Sequence, residues 1–366
     1  MIKSCDVGSL PLIGDVERFL EGAERFESSP TDDAAKYFEK RVVEGFLDKL
    51  NAGLDVANYP QFRDMSRMFL GMIDGVEKAK DGYMETKTLS LRPEESHIPE
   101  VLVIKENSQQ IYERISESFQ VKVCVTGPYT LSSLFIYRDK KIFSRVGEMI
   151  SQIVENNLFN GKYGSVSLVA IDEPIFGLLD DPLIDRGSEG REHLQKAWES
   201  IFHRANSKGI QTCIHLHNTA DELFWDVEPL NIIESHVDDP IYQTKKTKKL
   251  LESTDKFLKA SICITDFDRL IRESITTASQ QKMSELTINE KIAEAWRRVK
   301  SGNLDSKVFL ESDRLMKKRL IKIVNQFGVD RILYAGPECG LGGFPTYECA
   351  LEYLRRVSDA VKTVDR

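Results

Sequence analysis

The sequence predicts an α/β fold of the (β/α)8 class, a TIM barrel with insertions. Three observations favour it: eight short apolar, β-branched runs, amphipathic helical sequence in most intervals between them, and polar or turn-forming residues after most runs. Strands that alternate with helices form a parallel sheet, and eight such units favour a closed barrel over an open doubly wound sheet. No Gly-x-Gly-x-x-Gly follows the first strand, which argues against a dinucleotide-binding fold.

Each predicted strand ends in residues that can turn the chain or carry chemistry. The first ends in Asp6–Pro11, and the other seven are Leu54–Tyr59, Val121–Pro128, Val166–Pro174, Gln211–His217, Asn231–His236, Phe257–Ile264 and Arg331–Pro337. The helical intervals with the clearest amphipathic spacing are Asp33–Asn51, Ile142–Phe159, Glu192–Ala205 and Tyr347–Val364.

We expect one catalytic domain over residues 1–366, because that length suits a barrel that carries insertions. Residues 76–118 form one predicted insertion, in which Tyr83–Leu91 and Val101–Lys105 resemble an extra β-hairpin. Residues 270–328 form a larger, mostly helical and polar insertion. A weaker alternative is a smaller core with a separate helical subdomain near 270–320.

Composition excludes several classes of protein. The net charge is −8, and the one short basic run, Lys245–Lys249, more readily solvates a helix start than contacts nucleic acid. Docking of an acidic partner is its less favoured role. No apolar stretch approaches the ~20 residues of a membrane span, and Met1–Leu12 lacks the pattern of a signal peptide.

Six cysteines are scattered along the chain rather than spaced as a small disulfide framework. This pattern predicts a reduced, cytoplasmic protein whose cysteines are either buried or act as metal-binding or catalytic thiolates.

Residues whose side chains can bind a metal or a substrate or take part in catalysis fall at the predicted strand ends, where the active sites of parallel barrels lie. They are Ser9, Gln61, Asp172, His217, Glu234, Asp266 and Cys339. Zinc prefers Cys sulfur and His nitrogen and accepts carboxylate, and three protein ligands leave one position open for substrate. Because a barrel brings the fifth, sixth and eighth strands to one rim, we expect His217, Glu234 and Cys339 to hold zinc.

Each of these three residues also has a simpler interpretation. A lone histidine at a strand end is more often hydrogen-bonded than metal-bound, and a lone cysteine is more often buried. The glycine-rich surroundings of Cys339, residues 336–343, are a poor context for a core thiol. Glu234 directly follows Ile232 and Ile233, so its carboxylate needs a partner.

The chain resembles the C-terminal catalytic half of cobalamin-independent methionine synthase, especially the short, single-barrel archaeal core versions. The wider superfamily includes uroporphyrinogen decarboxylase and the methylcobamide:coenzyme M methyltransferases. The blocks that carry the resemblance span most of the chain: residues 7–11, 53–56, Gln61–Met65, Thr126–Pro128, Ile171–Pro174, Ile214–His217, Ile233–Glu234 and Pro337–Leu341.

In that family zinc is bound by a His-x-Cys pair, a Glu and a second Cys. The resemblance places the His at His217, the Glu at Glu234 and the second Cys at Cys339, but Thr219 stands where the first Cys is expected. Cys213 lies four residues before His217, roughly 13 Å along a strand, so it cannot replace that cysteine without a bulge. Cys263, on the seventh strand, is another possible replacement. Zinc is therefore held by three residues plus water or substrate, or it is absent.

The resemblance also implies a site for the substrate amino acid. Ser9 matches the serine that holds its carboxylate, Asp172 matches the aspartate that pairs with its amine, and Gln61 falls where core versions carry Gln. Without the resemblance, Asp172 would more simply cap the segment that follows its strand. Asp266 stands near the position of a family histidine proposed for proton transfer, and its alternative role is the N-cap of a helix.

These expectations combine into a zinc-dependent S-methyltransferase with homocysteine as the expected acceptor and methionine as the product. The folate-using enzymes carry an N-terminal barrel that helps to bind polyglutamyl folate, and no such barrel is expected here. The resemblance to core versions therefore favours a methyl-corrinoid donor, free or on a corrinoid protein, with methyltetrahydrofolate as the alternative.

Three other functions stay open. A coenzyme M-type thiol methyltransferase keeps the chemistry, although Asp172 and Ser9 suit an amino acid better than a sulfonate. A metal-free decarboxylase would need an arginine cluster that cannot be placed at the strand ends. A non-catalytic barrel would fit the loss of a thiolate at Thr219.

Overall fold

The computed structural model describes residues 1–92, 96–279 and 283–364. Its main sheet has eight parallel strands in the order β1-β10-β9-β8-β7-β6-β5-β2. They are β1 Lys3–Ser4, β2 Val56–Asn58, β5 Phe119–Thr126, β6 Gly164–Glu173, β7 Gln211–Leu216, β8 Ile232–Glu234, β9 Phe257–Cys263 and β10 Ile332–Pro337. A parallel bridge between Cys5 and Val56 links the two ends of this order, so the sheet is a nearly closed barrel. The predicted fold class is confirmed.

The helices lie between the strands in sequence, as the predicted alternation requires. They are α1 Val16–Arg25, α2 Asp33–Asn51, α3 Met65–Gly71, α4 Pro99–Glu106, α5 Ser108–Ile115, α6 Pro128–Ser133, α7 Ile142–Asn156, α8 Glu189–Asn206, α9 Lys245–Thr254, α10 Phe267–Ala278, α11 Glu285–Lys300, α12 Asp313–Phe327 and α13 Tyr347–Lys362. Many begin at an Asp, Ser or Thr whose side chain accepts a hydrogen bond from the first turn, as Asp32 does for α2. No helix among the described residues is both long and apolar enough to cross a membrane.

Buried apolar residues occupy two regions. The larger one lies between the strands and the helices. The smaller one contains one or more side chains from most barrel strands, including Cys5, Cys124, Cys213, Ile232 and Tyr334. Because both faces of the sheet are covered, its strands carry nearly continuous apolar sequence, which made them visible in the sequence.

The predicted hairpin in residues 76–118 is half right. Residues Tyr83–Leu91 lie in β4 Gly82–Leu91, but the partner strand is β3 Ile73–Ala79, antiparallel to it. The segment Val101–Lys105, predicted as a strand, belongs to α4. Pro99 starts that helix, and the side chain of Asn157 accepts a hydrogen bond (2.8 Å) from the Ile98 N–H. A short apolar run does not distinguish helix from strand by periodicity alone, which explains the error.

Glu173, the last residue of β6, connects the barrel to its outer helices through hydrogen bonds. Its buried carboxylate accepts four hydrogen bonds of 2.7–2.9 Å, from the backbone N–H of Tyr129, the N–H and hydroxyl of Thr130, and the Trp198 indole. All four partners are hydrogen-bond donors. A glutamine at position 173 would therefore point its own NH2 donor at some of them and leave those donors without an acceptor.

We expect Glu173→Gln to lower the free energy of unfolding by about 2 kcal/mol, the cost of leaving buried donors without an acceptor. Urea denaturation would measure the loss. The matched control is Glu192→Gln on the exposed side of α8, which should change stability by less than about 0.5 kcal/mol. Equal stability of the two variants would contradict the role of Glu173 as the acceptor of these four hydrogen bonds.

Candidate active site

The predicted site residues follow several strands at the carboxyl-end rim of the barrel. His217 directly follows β7, Cys339 lies two residues after β10, and Asp172 is the penultimate residue of β6. The Cys339 sulfur lies 3.6 Å from the His217 Nε2 atom, so the structure brings these two predicted ligands into contact from distant parts of the chain.

Two further histidines join them. His215, His217, His236 and Cys339 each offer one donor atom, and these atoms all lie within 4.8 Å of one another. The rings of His217 and His236 are 4.0 Å apart between centroids. His215 and His217 share a direction because side chains two apart in a strand point to the same face. We call these four residues the His/Cys cluster.

The protonation states of the outer histidines suit metal binding. Burial, with the neighbouring His215 and His236, lowers the pKa of His217 to about 3. Burial and His215 lower the pKa of His236 to about 4. Both imidazoles are therefore neutral near pH 7, the form that presents a nitrogen lone pair to a metal ion.

The cluster also fits zinc by its donor types and spacing. Zinc bonds of about 2.0 Å to nitrogen and 2.3 Å to sulfur place tetrahedral donor atoms roughly 3.3–3.8 Å apart. The pair His217 and Cys339 has that spacing already. The Nε2 atom of His236 is buried and makes no hydrogen bond among the described residues. A buried nitrogen without a partner is unusual, and a metal ion would supply one.

Glu234, the third predicted ligand, lies deeper in the barrel and has other partners. Its carboxylate forms an ion pair with Lys259, and its Oε1 atom lies 3.5 Å from the His215 Nδ1 atom. Its Oε2 atom lies 4.0 Å from the Lys122 ammonium. Burial alone would raise the pKa of Glu234, but Lys259, His215 and Lys122 outweigh burial and hold the pKa well below its ordinary value.

Thr219 turns away from the His/Cys cluster. Its hydroxyl donates a hydrogen bond to Asp239, which also accepts one of 3.0 Å from Ser235. Thr219 therefore has a structural partner of its own. Cys213 and Cys263 are buried and are not members of the cluster.

Ser9 lies against the loop that carries Cys339. The hydroxyl oxygen of Ser9 accepts a 3.1 Å hydrogen bond from the Gly342 N–H, and its backbone oxygen accepts one of 2.9 Å from Leu341. A β-carbon on Gly340 would stand 2.0 Å from the Ser9 hydroxyl, so this close approach requires glycine. Since Ser9 accepts from Gly342, its own O–H can still donate to a ligand.

Asp172 and Gln61 are the other two residues predicted to bind the substrate. Asp172 is half-buried, and its Oδ1 atom lies 3.9 Å from the His215 Nε2 atom without a hydrogen bond. Burial raises the pKa of Asp172, although His215 and Lys122 oppose that shift. Gln61 is buried beside Ser9, with which it forms a parallel bridge.

Asp266 is exposed and accepts a 3.1 Å hydrogen bond from the Arg269 N–H as the N-cap of α10. It also lines a cavity of about 520 Å³ that reaches the His/Cys cluster. Other residues lining that cavity are His236, Trp296, Glu338 and Cys339. Trp296 belongs to α11, so the 270–328 segment contributes to the wall of this cavity.

Sequence reasoning overlooked His215, His236 and the two buried lysines. Two signals were available: the alternation His215-x-His217 at the end of one strand, and His236 two residues beyond Glu234 on the next. The roles of Lys122 and Lys259 had no such signal, because a lysine in an apolar strand shows no partner in the sequence.

Comparison with known proteins gives a consistent picture. The family model described as "Cobalamin-independent synthase, Catalytic domain" matches residues 2–261. No curated protein matches the sequence significantly.

Several solved structures share the fold at 13% sequence identity. A B12-independent methionine synthase from Shewanella sp. W3-18-1, in complex with selenomethionine, aligns with a TM-score of 0.63 over 100% of this chain and 98% of that one. A putative vitamin-B12 independent methionine synthase from Listeria monocytogenes gives 0.57 over 100% and 99%. A methyltransferase from Methanosarcina mazei gives 0.53 over 100% and 96%.

The match of the family model covers well over half of the chain, on a barrel of the expected class. The chain therefore belongs to the cobalamin-independent synthase catalytic-domain family, a membership that supports a methyltransferase activity.

Proposed function

We propose that the protein is a zinc-dependent S-methyltransferase of the methionine synthase type, with homocysteine as acceptor and methionine as product. The contact between His217 and Cys339 at the rim of the barrel is the observation that carries the proposal. The single-domain barrel and a cytoplasmic location, in which the six free cysteines stay reduced, are part of it.

The chemistry requires a thiolate at neutral pH, whereas a free alkyl thiol with a pKa of about 8.5 is mostly protonated there. Zinc, when bound at this site, supplies the positive charge that lowers the pKa of an acceptor thiol. His217 and Cys339 hold that charge at the rim, where an acceptor can reach it.

Three residues suit the amino-acid end of homocysteine. The half-buried carboxylate of Asp172 has an oxygen that makes no hydrogen bond within the described part of the chain, which supports a role in pairing with an ammonium group. The Ser9 hydroxyl can donate to a carboxylate, and Gln61 is the backbone neighbour of Ser9 through a parallel bridge. This division of charge suits an amino acid better than a sulfonate.

The methyl donor is proposed as methyltetrahydrofolate or a methyl-corrinoid. The description of the family as cobalamin-independent favours the folate. The geometry of the barrel adds no support for a corrinoid-protein partner. The cavity of about 520 Å³ beside Cys339 is where we place the donor.

An assay of the purified, zinc-loaded protein tests the proposal. Either donor is supplied with homocysteine or, as the control thiol, 2-mercaptoethanesulfonate. We expect methionine to form in a reaction that a chelator stops and zinc restores. Transfer only to the sulfonate would replace homocysteine as the acceptor, and no transfer to either thiol would refute the proposed function.

Asp266 is proposed to accept the proton that the acceptor thiol loses. We expect Asp266→Asn to lower the turnover number about 10²-fold, a common effect of removing a general base. Asparagine caps helices as well as aspartate does, so the unfolding midpoint should stay unchanged. Steady-state kinetics and thermal unfolding of this one variant separate the two roles, since a capping role alone predicts full activity.

A further inference from the structure

Two of the four positions at which the family binds zinc are engaged elsewhere in this chain. The Thr219 hydroxyl donates to Asp239 rather than towards the His/Cys cluster. The Glu234 carboxylate forms an ion pair with Lys259. A metal bound here therefore needs a donor that the family pattern does not supply.

The Glu234 carboxylate interacts with two buried lysines whose positive charges have few other partners among the described residues. Lys122 and Lys259 are both fully buried, and their other hydrogen-bond partners are the backbone oxygens of Asp6 (2.9 Å) and Pro337 (3.2 Å). Both oxygens of the carboxylate face a lysine, one in the ion pair with Lys259 and the other 4.0 Å from Lys122. Rotation of Glu234 towards a metal would leave two buried ammonium groups without a full negative charge, which is strongly unfavourable.

His236 is placed to supply the missing donor. It follows Glu234 by two residues, and its ring lies 4.0 Å from that of His217. Its Nε2 atom is buried without a hydrogen-bond partner among the described residues. Its donor atom lies within 4.8 Å of those of His217 and Cys339.

His215 is less suited to be a ligand, although it belongs to the cluster. Its Nδ1 atom faces Glu234 at 3.5 Å, and its Nε2 atom faces Asp172 at 3.9 Å. Neither nitrogen makes a hydrogen bond among the described residues, but each has a carboxylate oxygen within 4.0 Å, which His236 lacks in the same part of the chain. His215 is therefore better described as a positioning residue that connects the Glu234–lysine group to the metal site.

We propose that this chain binds zinc through His217, His236 and Cys339, that His236 takes the place of Glu234 as a ligand, and that the fourth position is open to the acceptor thiol. The inference rests on the proposed function. Two neutral imidazoles and one thiolate would leave Zn²⁺ with a net charge of +1, whereas two thiolates and a carboxylate would leave −1. A positive site favours ionisation of an incoming thiol.

The first test is metal affinity, measured by titrating the metal-free full chain with Co²⁺ in competition with a chromophoric chelator. We expect His236→Ala to weaken Co²⁺ binding by more than about 10²-fold, beyond the range for loss of an outer-shell partner, while the thiolate-to-cobalt absorption band from Cys339 persists at saturation. The paired variant Glu234→Gln/Lys259→Met removes the ion pair as a unit. It should bind Co²⁺ within about tenfold of the wild type, the smaller effect of a group outside the ligand shell.

A measurement on the unsubstituted protein keeps the inference testable if a variant fails to fold. The X-ray absorption spectrum of the zinc-loaded wild type should show two imidazole nitrogens at about 2.0 Å and one protein sulfur at about 2.3 Å. One imidazole with a carboxylate oxygen, or unchanged Co²⁺ affinity in His236→Ala, would overturn the ligand assignment.

The ligand assignment and the proposed function fail in different ways. Wild-type protein that binds zinc as assigned but transfers no methyl group would refute the function and leave the ligands standing. Methyl transfer by protein in which Glu234 proves to be the ligand would refute the assignment and leave the function standing. Protein that binds neither Co²⁺ nor Zn²⁺ would overturn the assignment.

Discussion

Cys339→Ser is expected to lower the rate of methyl transfer about 10³-fold, equivalent to about 4 kcal/mol of transition-state stabilisation. The Cys339 sulfur is the one thiolate donor of the His/Cys cluster, 3.6 Å from His217. A serine hydroxyl stays protonated near pH 7 and is a poor zinc ligand, so the metal would be lost or held too weakly to ionise the acceptor. The measurements are zinc content after dialysis and the initial rate with homocysteine.

The matched control is Cys349→Ser, in α13 and outside the cluster. It also replaces a thiol sulfur with a hydroxyl oxygen, at a buried position, so it reports any general effect of replacing a thiol. We expect it to keep the zinc content and the activity of the wild type. If both variants retained zinc and activity, Cys339 would have no part in metal binding or in the chemistry, and its assignment as the thiolate ligand would be refuted.

Glu234→Gln is expected to lower the free energy of unfolding by about 4 kcal/mol, because removal of one partner of a buried ion pair leaves an uncompensated charge. Glu234, Lys259 and Lys122 all have 0% exposed side chains, so water cannot replace the lost carboxylate. Urea denaturation with a chelator present would measure the loss without a contribution from bound metal.

The control for this prediction is the paired variant Glu234→Gln/Lys259→Met. Removal of both charges should recover most of the lost stability, since a buried ion pair is often replaced by apolar groups at little cost. If the single and the paired variants were equally unstable, the effect would come from lost packing rather than from charge.

The pH dependence supplies an independent check on Glu234. A carboxylate whose pKa is lowered in the folded state stabilises the protein above its unfolded pKa of about 4.3, and this contribution is lost as the pH falls below that value. Although burial opposes the shift, Glu234 also raises the pKa of His215 to about 10, and this stabilisation is complete below about pH 6.5 and is lost as the pH rises. The stability difference between wild type and Glu234→Gln should therefore be largest near pH 5–6, should decline above about pH 6.5 and should shrink below about pH 4. A difference that grew below about pH 4 would contradict the assigned charge.

Much of the fold could be predicted because the burial of the barrel strands is visible in the sequence as runs of apolar residues. The predicted run Gln211–His217 corresponds to β7 Gln211–Leu216, and Phe257–Ile264 corresponds to β9 Phe257–Cys263. Both faces of such strands are buried, so apolar residues are nearly continuous and the polar residue that follows marks the rim. The segment Val101–Lys105 has the same apolar character but lies in a helix, because Pro99 and Asn157 start a helix there.

Part of the candidate site followed from the same rule. Because parallel strands end at one rim, His217 and Cys339 could be expected to meet although 122 positions separate them. His236 obeys the same rule, but the family pattern has a Glu ligand, at Glu234, two residues earlier. The ion pair of Glu234 with Lys259 depends on which side chains point into the same layer of the barrel, and no sequence spacing states that.

The sequence by itself therefore determined the barrel, its strand ends and the set of residues available at its rim, since these depend on local periodicity and on the direction of parallel strands. Only the tertiary structure decided which of those residues contact one another. Burial sets these contacts: two fully buried lysines hold the Glu234 carboxylate, while the His236 Nε2 atom, beside His217 and Cys339, has no hydrogen-bond partner among the described residues.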